Sequence, residues 1–109
     1  MIWERKIVFS KLWVNGMALF PFIIIKRASD LNNPILLNHE RIHLRQQVEL
    51  LIIPFYIFYL LFYLFNLLRY QNHQKAYLYN PFEKEAYRND QDLGYLKHRK
   101  MFSFLNYFR

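Results

Sequence analysis

The N-terminal part of the chain contains two runs of β-forming residues separated by a turn signal. Residues 6–14 and 17–25 are rich in Val, Ile, Phe and Trp, which favour extended structure. Between the runs, Asn15-Gly16 supports the positive φ angles of a type I′ turn. The pattern therefore predicts a β-hairpin over residues 6–25.

The remainder of the chain is divided by proline and glycine into segments of helical length. Asn33-Pro34 and Asn80-Pro81 each combine a favoured N-cap residue with a proline suited to the first helical position. Pro54 and Gly94 are the corresponding stop signals. The predicted order after the hairpin is a helix over residues 34–53, an apolar helix over 54–70, a connection over 71–79, a third helix over 81–93 and a basic aromatic tail over 95–109. We therefore expect an α+β fold, mainly α, in one domain over residues 1–109.

Composition narrows the chemistry that this fold can carry. The chain has 109 residues, of which 54% are hydrophobic and 20% aromatic, so it has enough apolar surface to form a core and is not disordered. It contains no cysteine, which excludes disulfide scaffolds, thiolate zinc sites and cysteine nucleophiles. Any metal ion must therefore be held by His, Asp or Glu.

The formal charge of +7 raises the question of a nucleic-acid partner. Basic residues are scattered along the chain and are densest at residues 97–100, but no nucleic-acid-binding motif surrounds them. Lys and Arg that flank apolar segments commonly meet anionic lipid headgroups. We therefore expect no nucleic-acid partner.

The predicted helix over residues 34–53 carries the residues that indicate chemistry. His39, Glu40 and His43 form the pattern H-E-x-x-H, and the i, i+4 spacing places both imidazoles on one helix face, where they can bind one metal ion. Glu40 lies beside them as the candidate general base. The alternative interpretation is a polar helix face with two solvated histidines.

A zinc site of this type needs a third protein ligand, and the predicted helix over residues 81–93 offers one. Glu83 shares a face with Ala86, whose small side chain lets this helix approach the histidine helix closely. Glu85 is the main substitute, and Glu83 has a second interpretation as the capping-box partner of Asn80. The weaker candidate ligands are the remaining histidines, His73 and His98.

Three features in order along the chain resemble a known enzyme core: H-E-R-I-H-L-R-Q-Q, a long apolar segment, and N-P-F-E-K-E-A. This order resembles the gluzincin-like metallopeptidase core in which HExxH is followed by a membrane-embedded segment and a downstream E-x-x-A or E-x-x-C element. Over residues 36–90 the chain is similar to the membrane metallopeptidase domain of the BlaR/MecR β-lactam sensors. More distantly, it is similar to the CAAX-prenyl-protease group.

The resemblance implies specific roles, with zinc bound by His39, His43 and Glu83 and with Glu40 as general base. It also exposes one departure. These families usually place Asp directly after the small residue, as a partner of a metal ligand, whereas Tyr87 stands there in this chain. Asp90, one helical turn further on, is the candidate replacement.

The middle segment bears on where such chemistry would take place. Residues 50–68 contain no charged side chain and just reach the length needed to cross a bilayer. One helical stripe of this segment is polar, which indicates a side that packs on protein or faces a polar cleft; it comprises Tyr56, Tyr59, Tyr63, Asn66 and Tyr70. We expect membrane association, with the basic aromatic tail as an interfacial anchor. The alternative is the buried helix of a soluble, cytoplasmic domain.

Taken together, these features predict a small zinc-dependent metallopeptidase, a hydrolase that acts on a peptide or protein substrate through Zn²⁺. The oxyanion stabiliser is not singled out, and the candidates are Tyr77, Tyr79 and Tyr87. A short chain leaves room for a partner chain that completes the cleft. The alternative function is a non-catalytic membrane or interaction protein that keeps a metal-stabilised, zincin-like fold.

Overall fold

The computed structural model of the protein describes residues 4–108. Three short strands, β1 (Arg5–Val8), β2 (Gly16–Leu19) and β3 (Phe22–Ile25), form a sheet in the order β1-β3-β2. β1 is parallel to β3, and β2 is antiparallel to it. The helices that follow are α1 (Pro34–Glu49), α2 (Ile53–Tyr70), α3 (His73–Leu78), α4 (Pro81–Asn89) and α5 (Tyr95–His98). The fold is therefore α+β and mainly α, as predicted.

The hairpin turns at a different place from the predicted one. Leu19 pairs with Phe22, so the connection is Phe20-Pro21, whereas Gly16 begins β2 without a positive φ angle. β1 does lie beside β3, but it runs in the same direction, and residues 9–15 carry the chain across to the far edge of β3. The prediction was wrong because a turn signal is local, while strand order is decided by pairing between distant residues.

The histidine helix ends earlier than predicted. α1 stops at Glu49 rather than at residue 53, because Leu51 and Ile52 both adopt positive φ angles, 62° and 69°, which cannot continue a right-handed helix. Pro54 then occupies the first turn of α2, where its missing N–H costs no hydrogen bond.

The segments on either side of α4 are more ordered than predicted. The connection expected over residues 71–79 contains α3, which is capped by the side chain of Asn72. α4 begins as predicted but ends at Asn89 rather than at residue 93. The predicted tail folds into α5 and a C-terminal 3₁₀ helix (Ser103–Tyr107) that packs back onto the domain.

α1 lies at the centre of the packing. On one side Leu37 and Leu44 contact the sheet residues Ala18, Ile23 and Ile25. On another side, Ile42 packs against α4 and α5 through Ala86 and Tyr95. A third cluster joins α2, α4 and the C-terminal 3₁₀ helix through Phe55, Phe82 and Phe104. The small Ala86 thus gives α4 its close approach to α1, as predicted, and this contact positions the site.

Candidate metal centre

Two helices that are distant in the sequence bring three candidate ligands together. His39 and His43 lie one turn apart on α1, and Glu83 lies in the first turn of α4. Nε2 of His39 is 3.1 Å from Oε1 of Glu83, and Nε2 of His43 is 3.0 Å from the same oxygen. All three side chains are buried, and their ligand atoms lie within 4.8 Å of one another. This is a buried His/His/Glu group that could hold a metal ion.

The outer nitrogen of each histidine is held by a further side chain. Nδ1 of His39 is 3.1 Å from Oδ2 of Asp90, and Nδ1 of His43 is 2.8 Å from Oε1 of Gln46. Since carboxylate and amide oxygens only accept hydrogen bonds, each Nδ1 donates a hydrogen. Nε2 of each ring is therefore the atom directed at Glu83, which is the arrangement found around metal-binding histidines.

Residues 87 and 90 both contact His39, the first through a ring and the second through a carboxylate. The ring of Tyr87 packs edge-on against His39, with centroids 4.4 Å apart, and cannot take the place of a carboxylate. Asp90, at the C-terminal end of α4, supplies that carboxylate instead. Gln46 was missed by sequence reasoning, and its one sequence signal is a position three residues after His43.

Glu83 is oriented for the histidines and not for capping its own helix. Its second oxygen, Oε2, accepts a hydrogen bond of 2.6 Å from the hydroxyl of Tyr59, a member of the predicted polar stripe. Asn80 caps α4 by accepting from the backbone N–H of Phe82. The capping-box interpretation of Glu83 is therefore excluded, and Tyr59 is a positioning residue for Glu83 that no sequence motif indicated.

The charges in the cluster stabilise one another. Burial alone would lower the pKa of His43, but the charge and hydrogen bond of Glu83 raise this pKa to about 9. For Glu83, burial would raise the pKa, yet the two histidines hold it below its ordinary value. The proton on Nε2 of His43 and a metal ion would compete for the same lone pair.

Glu40 differs from these groups because its carboxylate lines the cleft and is not tied to a hydrogen-bond donor among the described residues. Among residues 4–108, no hydrogen bond reaches its oxygens, and burial raises its pKa, against the opposing effect of His43 and His39. A Cβ atom built on Gly16 would lie 3.2 Å from Oε2 of Glu40 and 3.1 Å from Leu36. Gly16 therefore provides space for Glu40 rather than the predicted turn.

The cluster opens into a cleft with a volume of about 360 Å³. Apolar and aromatic side chains form most of its walls, while His39, Glu40, His43 and Glu83 line its polar end. The walls come from the segment before β2, from β2 itself, and from α1, α2, α3 and α4; their main members are Trp13, Met17, Phe55, Tyr56 and Tyr77. Such a lining suits a partly apolar ligand.

Of the tyrosines considered as oxyanion stabilisers, Tyr77 lines this cleft. Its hydroxyl lies 2.8 Å from that of Tyr87. Tyr79 instead packs against Tyr70 and Lys84. Tyr77 is therefore the candidate that lines the cleft beside the cluster, whereas Tyr87 lines its wider opening.

The edge of β2 beside the cleft is partly occupied by the protein itself. The backbone N–H of Lys26 donates to the carbonyl of Asn15, so these two residues form a hydrogen-bonded pair. In an antiparallel pair every second residue is hydrogen-bonded to the neighbouring strand, so the N–H and C=O groups of Gly16 and Ala18 point away from β3. The side-chain amide of Gln47 donates to the Ala18 carbonyl (2.8 Å) and accepts from the N–H of Phe20 (2.8 Å). Gln47 thus acts like a short neighbouring strand and leaves only the Gly16 end of this edge open.

Glu85 lies in a separate buried network on the far side of Gln46. It accepts hydrogen bonds from Gln46 (2.9 Å), from Tyr95 and from Arg99, and the guanidinium of Arg99 also binds Glu49 through two bonds of 2.6 and 3.0 Å. Glu85 is therefore not a ligand in this arrangement. Arg99, predicted as part of a basic tail, is buried and paired.

The two weaker histidine candidates do not reach the cluster. His73 lies 2.6 Å from the hydroxyl of Tyr63, and His98 lies 2.9 Å from a carboxylate oxygen of Asp92 on the surface. Neither lies with His39, His43 and Glu83.

Among residues 4–108, α2 is the one helix long and apolar enough to cross a membrane, by length and composition. Its polar stripe faces the protein, as predicted: Tyr56 donates to the Ala18 carbonyl, Tyr59 to Glu83, and Asn66 to the Ala76 carbonyl. No family model, curated protein or solved structure matches this chain.

Proposed function

We propose that this protein is a membrane-associated, zinc-dependent metallopeptidase. The observation that carries the proposal is the convergence of two imidazole Nε2 atoms and one carboxylate oxygen at one buried point of an apolar cleft. Glu40 lies directly next to His39 in the chain and lines the same cleft.

The donor set fits Zn²⁺. For a tetrahedral ion with bonds of about 2.0–2.1 Å, neighbouring donor atoms lie about 3.3 Å apart. The two nitrogen-to-oxygen distances of 3.1 and 3.0 Å lie close to that value, and the two histidine nitrogens lie within 4.8 Å of each other. Two imidazoles and one carboxylate form a common catalytic zinc set that leaves a position open. His39, His43 and Glu83 would hold the ion, and Asp90, Gln46 and Tyr59 would orient them.

When bound, Zn²⁺ would polarise a peptide carbonyl and lower the pKa of a water molecule. Glu40 would accept a proton from that water molecule as the water oxygen attacks the carbonyl carbon, and it would pass the proton to the amine nitrogen as the C–N bond breaks. The Tyr77 hydroxyl is the candidate donor to the carbonyl oxygen.

The free part of the β2 edge is the candidate position for the substrate backbone. The N–H and C=O of Gly16 and the N–H of Ala18 point away from β3, and Gly16 itself packs against the Glu40 side chain. The Ala18 carbonyl already accepts hydrogen bonds from the side-chain amide of Gln47 and the hydroxyl of Tyr56. An extended peptide would therefore pair along Gly16 and end its pairing at Ala18.

Metal content and turnover of a casein or mixed-peptide substrate test the proposal together. We expect about one zinc per chain, loss of zinc in His39→Ala, and retained zinc without hydrolysis in Glu40→Gln. His98→Ala, a surface histidine, is the matched control and should change neither. Absence of zinc after reconstitution would falsify the site. Zinc binding without hydrolysis by the unmodified protein would favour the non-catalytic alternative.

A further inference from the structure

One side of α2 is an uninterrupted apolar surface. At 100° per residue, six of its exposed side chains fall within an arc of about 140° that contains no charged residue. We name this surface the apolar face of α2; it comprises Ile57, Leu60, Leu61, Leu64, Phe65 and Leu68, each 44–79% exposed. Exposed apolar surfaces of this extent mark interaction sites.

The apolar face continues onto the C-terminal segment. Phe58 stacks on Phe62, and Phe62 contacts the ring of Phe108, with centroids 6.3 and 5.1 Å apart. Leu105 and Phe108 are themselves 58% and 49% exposed. The result is one apolar platform built from α2 and the end of the chain. Exposed cations accompany it, with Arg69 near the end of α2 and Lys100 before the 3₁₀ helix.

The opposite side of α2 is fixed to the protein. Tyr59 in its first half is bonded to Glu83, and Asn66 in its second half to the Ala76 carbonyl. The hydroxyl of Tyr63 holds His73 at the level of the middle of α2. The next two residues, Gln74 and Lys75, are polar and exposed, so they lie at about the same level. A membrane-spanning α2 would carry these polar groups into the hydrocarbon region, where they are strongly disfavoured.

From these contacts we infer that α2 lies in the plane of an anionic membrane surface, with its apolar face toward the lipid, and does not cross the bilayer. An interfacial helix needs one apolar side and one side kept out of the lipid, and α2 has both. The net charge of +7 is complementary to anionic headgroups. The occupant of the platform is therefore an anionic lipid surface.

This orientation places the cleft at the membrane edge. Leu60, at one border of the apolar face, also lines the wider opening of the cleft together with Tyr56, Tyr63 and the exposed Trp13. Peptides held at the lipid–water boundary would thus be the substrates within reach. This consequence rests on the proposed function, whereas the orientation of α2 does not depend on hydrolysis.

The absence of native cysteine allows a direct test of depth. Ile57→Cys, Leu61→Cys, Leu64→Cys and Leu68→Cys variants of the full chain lie along one stripe of α2 and can each carry a single fluorescent label. The variants are bound to vesicles of phosphatidylcholine and phosphatidylglycerol that contain lipid nitroxides at known depths. The quenching should place all four labels at a similar, shallow depth in the bilayer. The matched control is Lys75→Cys, an exposed residue of α3 on the opposite side of α2, which should show no quenching.

The alternatives give distinct results. Deep quenching at residues 61 and 64 with shallow quenching at 57 and 68 would show a spanning helix and overturn the inference. Absence of quenching, with or without a doubled mass in solution, would overturn it in favour of a protein partner or a second copy. Leu61→Gln with Phe65→Gln should weaken vesicle binding on the order of tenfold or more. Zinc content and soluble-peptide hydrolysis, measured without vesicles on the same variants, report the proposed function separately.

Discussion

The role of Asp90 gives the sharpest test of the site, because its carboxylate is the one that contacts the outer nitrogen of His39. Oδ2 of Asp90 accepts the Nδ1–H of His39 at 3.1 Å, and the carboxylate is nearly buried. Asp90→Asn keeps an oxygen that can accept this bond but removes the charge, whereas Asp90→Ala removes both. Loss of such a partner lowers metal affinity about 10–100-fold, or about 1.4–2.7 kcal/mol. We expect Asn near the lower limit and Ala near the upper limit.

The measurement is a zinc titration in competition with a chromophoric chelator at fixed pH. Asp92→Asn is the matched control, because it removes the same charge two residues away from an exposed carboxylate that bonds His98. The backbone carbonyl of Asp90 binds the side chain of Asn38 at 2.8 Å, and neither substitution at residue 90 removes it. Circular dichroism should therefore show a retained fold. If Asp90→Asn and Asp90→Ala reduced zinc affinity no more than Asp92→Asn, the assigned role of Asp90 would be wrong.

Three further outcomes are expected. Gly16→Ala should slow peptide hydrolysis while keeping zinc, since the new Cβ crowds the Glu40 carboxylate; equal rates would contradict this. Arg99→Met should lower the free energy of unfolding in urea by about 3–5 kcal/mol, because it leaves the buried carboxylates of Glu85 and Glu49 without a cation, whereas the exposed Arg27→Met should cost about 0–1 kcal/mol. In zinc-depleted protein, protonation of His43 stabilises the fold, since its pKa rises from 6.5 to about 9. That contribution to stability should be complete below about pH 6.5 and should be lost as the pH rises through about 9. A urea midpoint that stays constant between these pH values would refute the prediction.

Local chemistry predicted the features that depend on a few neighbouring residues. Asn33 and Asn80 cap their helices through side-chain bonds to Leu36 and Phe82, as the two Asn-Pro signals indicated. The i, i+4 spacing of the histidines placed both rings on one face, because helical geometry alone decides that contact. Even the inward direction of the polar stripe followed from the helical period, since its members recur every three or four residues.

The errors arose where distant residues decide the structure. Asn15-Gly16 has the chemistry of a tight turn, but the parallel pairing of β1 with β3 leaves residue 16 at the start of an edge strand. Leu51 and Ile52 carry no local signal for the left-handed conformation that ends α1. Asn72, by contrast, was a capping residue visible in the sequence, so α3 was within reach of prediction.

Within the site, the candidate ligands and Asp90 were accessible to sequence reasoning, whereas the other residues that orient the ligands were not. HExxH and an Asn-Pro-x-Glu segment have recognisable spacing, whereas Gln46, Gln47 and Tyr59 become meaningful only once the helices are packed. Gln47 shows the difficulty, because its partners at Ala18 and Phe20 precede it by 29 and 27 residues. No spacing rule connects an amide on a helix with the edge of a strand at that distance.

A chain of hydrogen bonds connects the C-terminal part of the protein with the candidate ligand His43. Gln46 fixes His43 through its oxygen and Glu85 through its nitrogen, and Arg99 holds Glu85 from the other side. The amide of Gln46 has a defined orientation because Glu85 can only accept, so the Gln46 oxygen must face His43. Arg99, which first counted as one charge in a basic tail, therefore helps to determine which nitrogen of His43 is available to a metal ion.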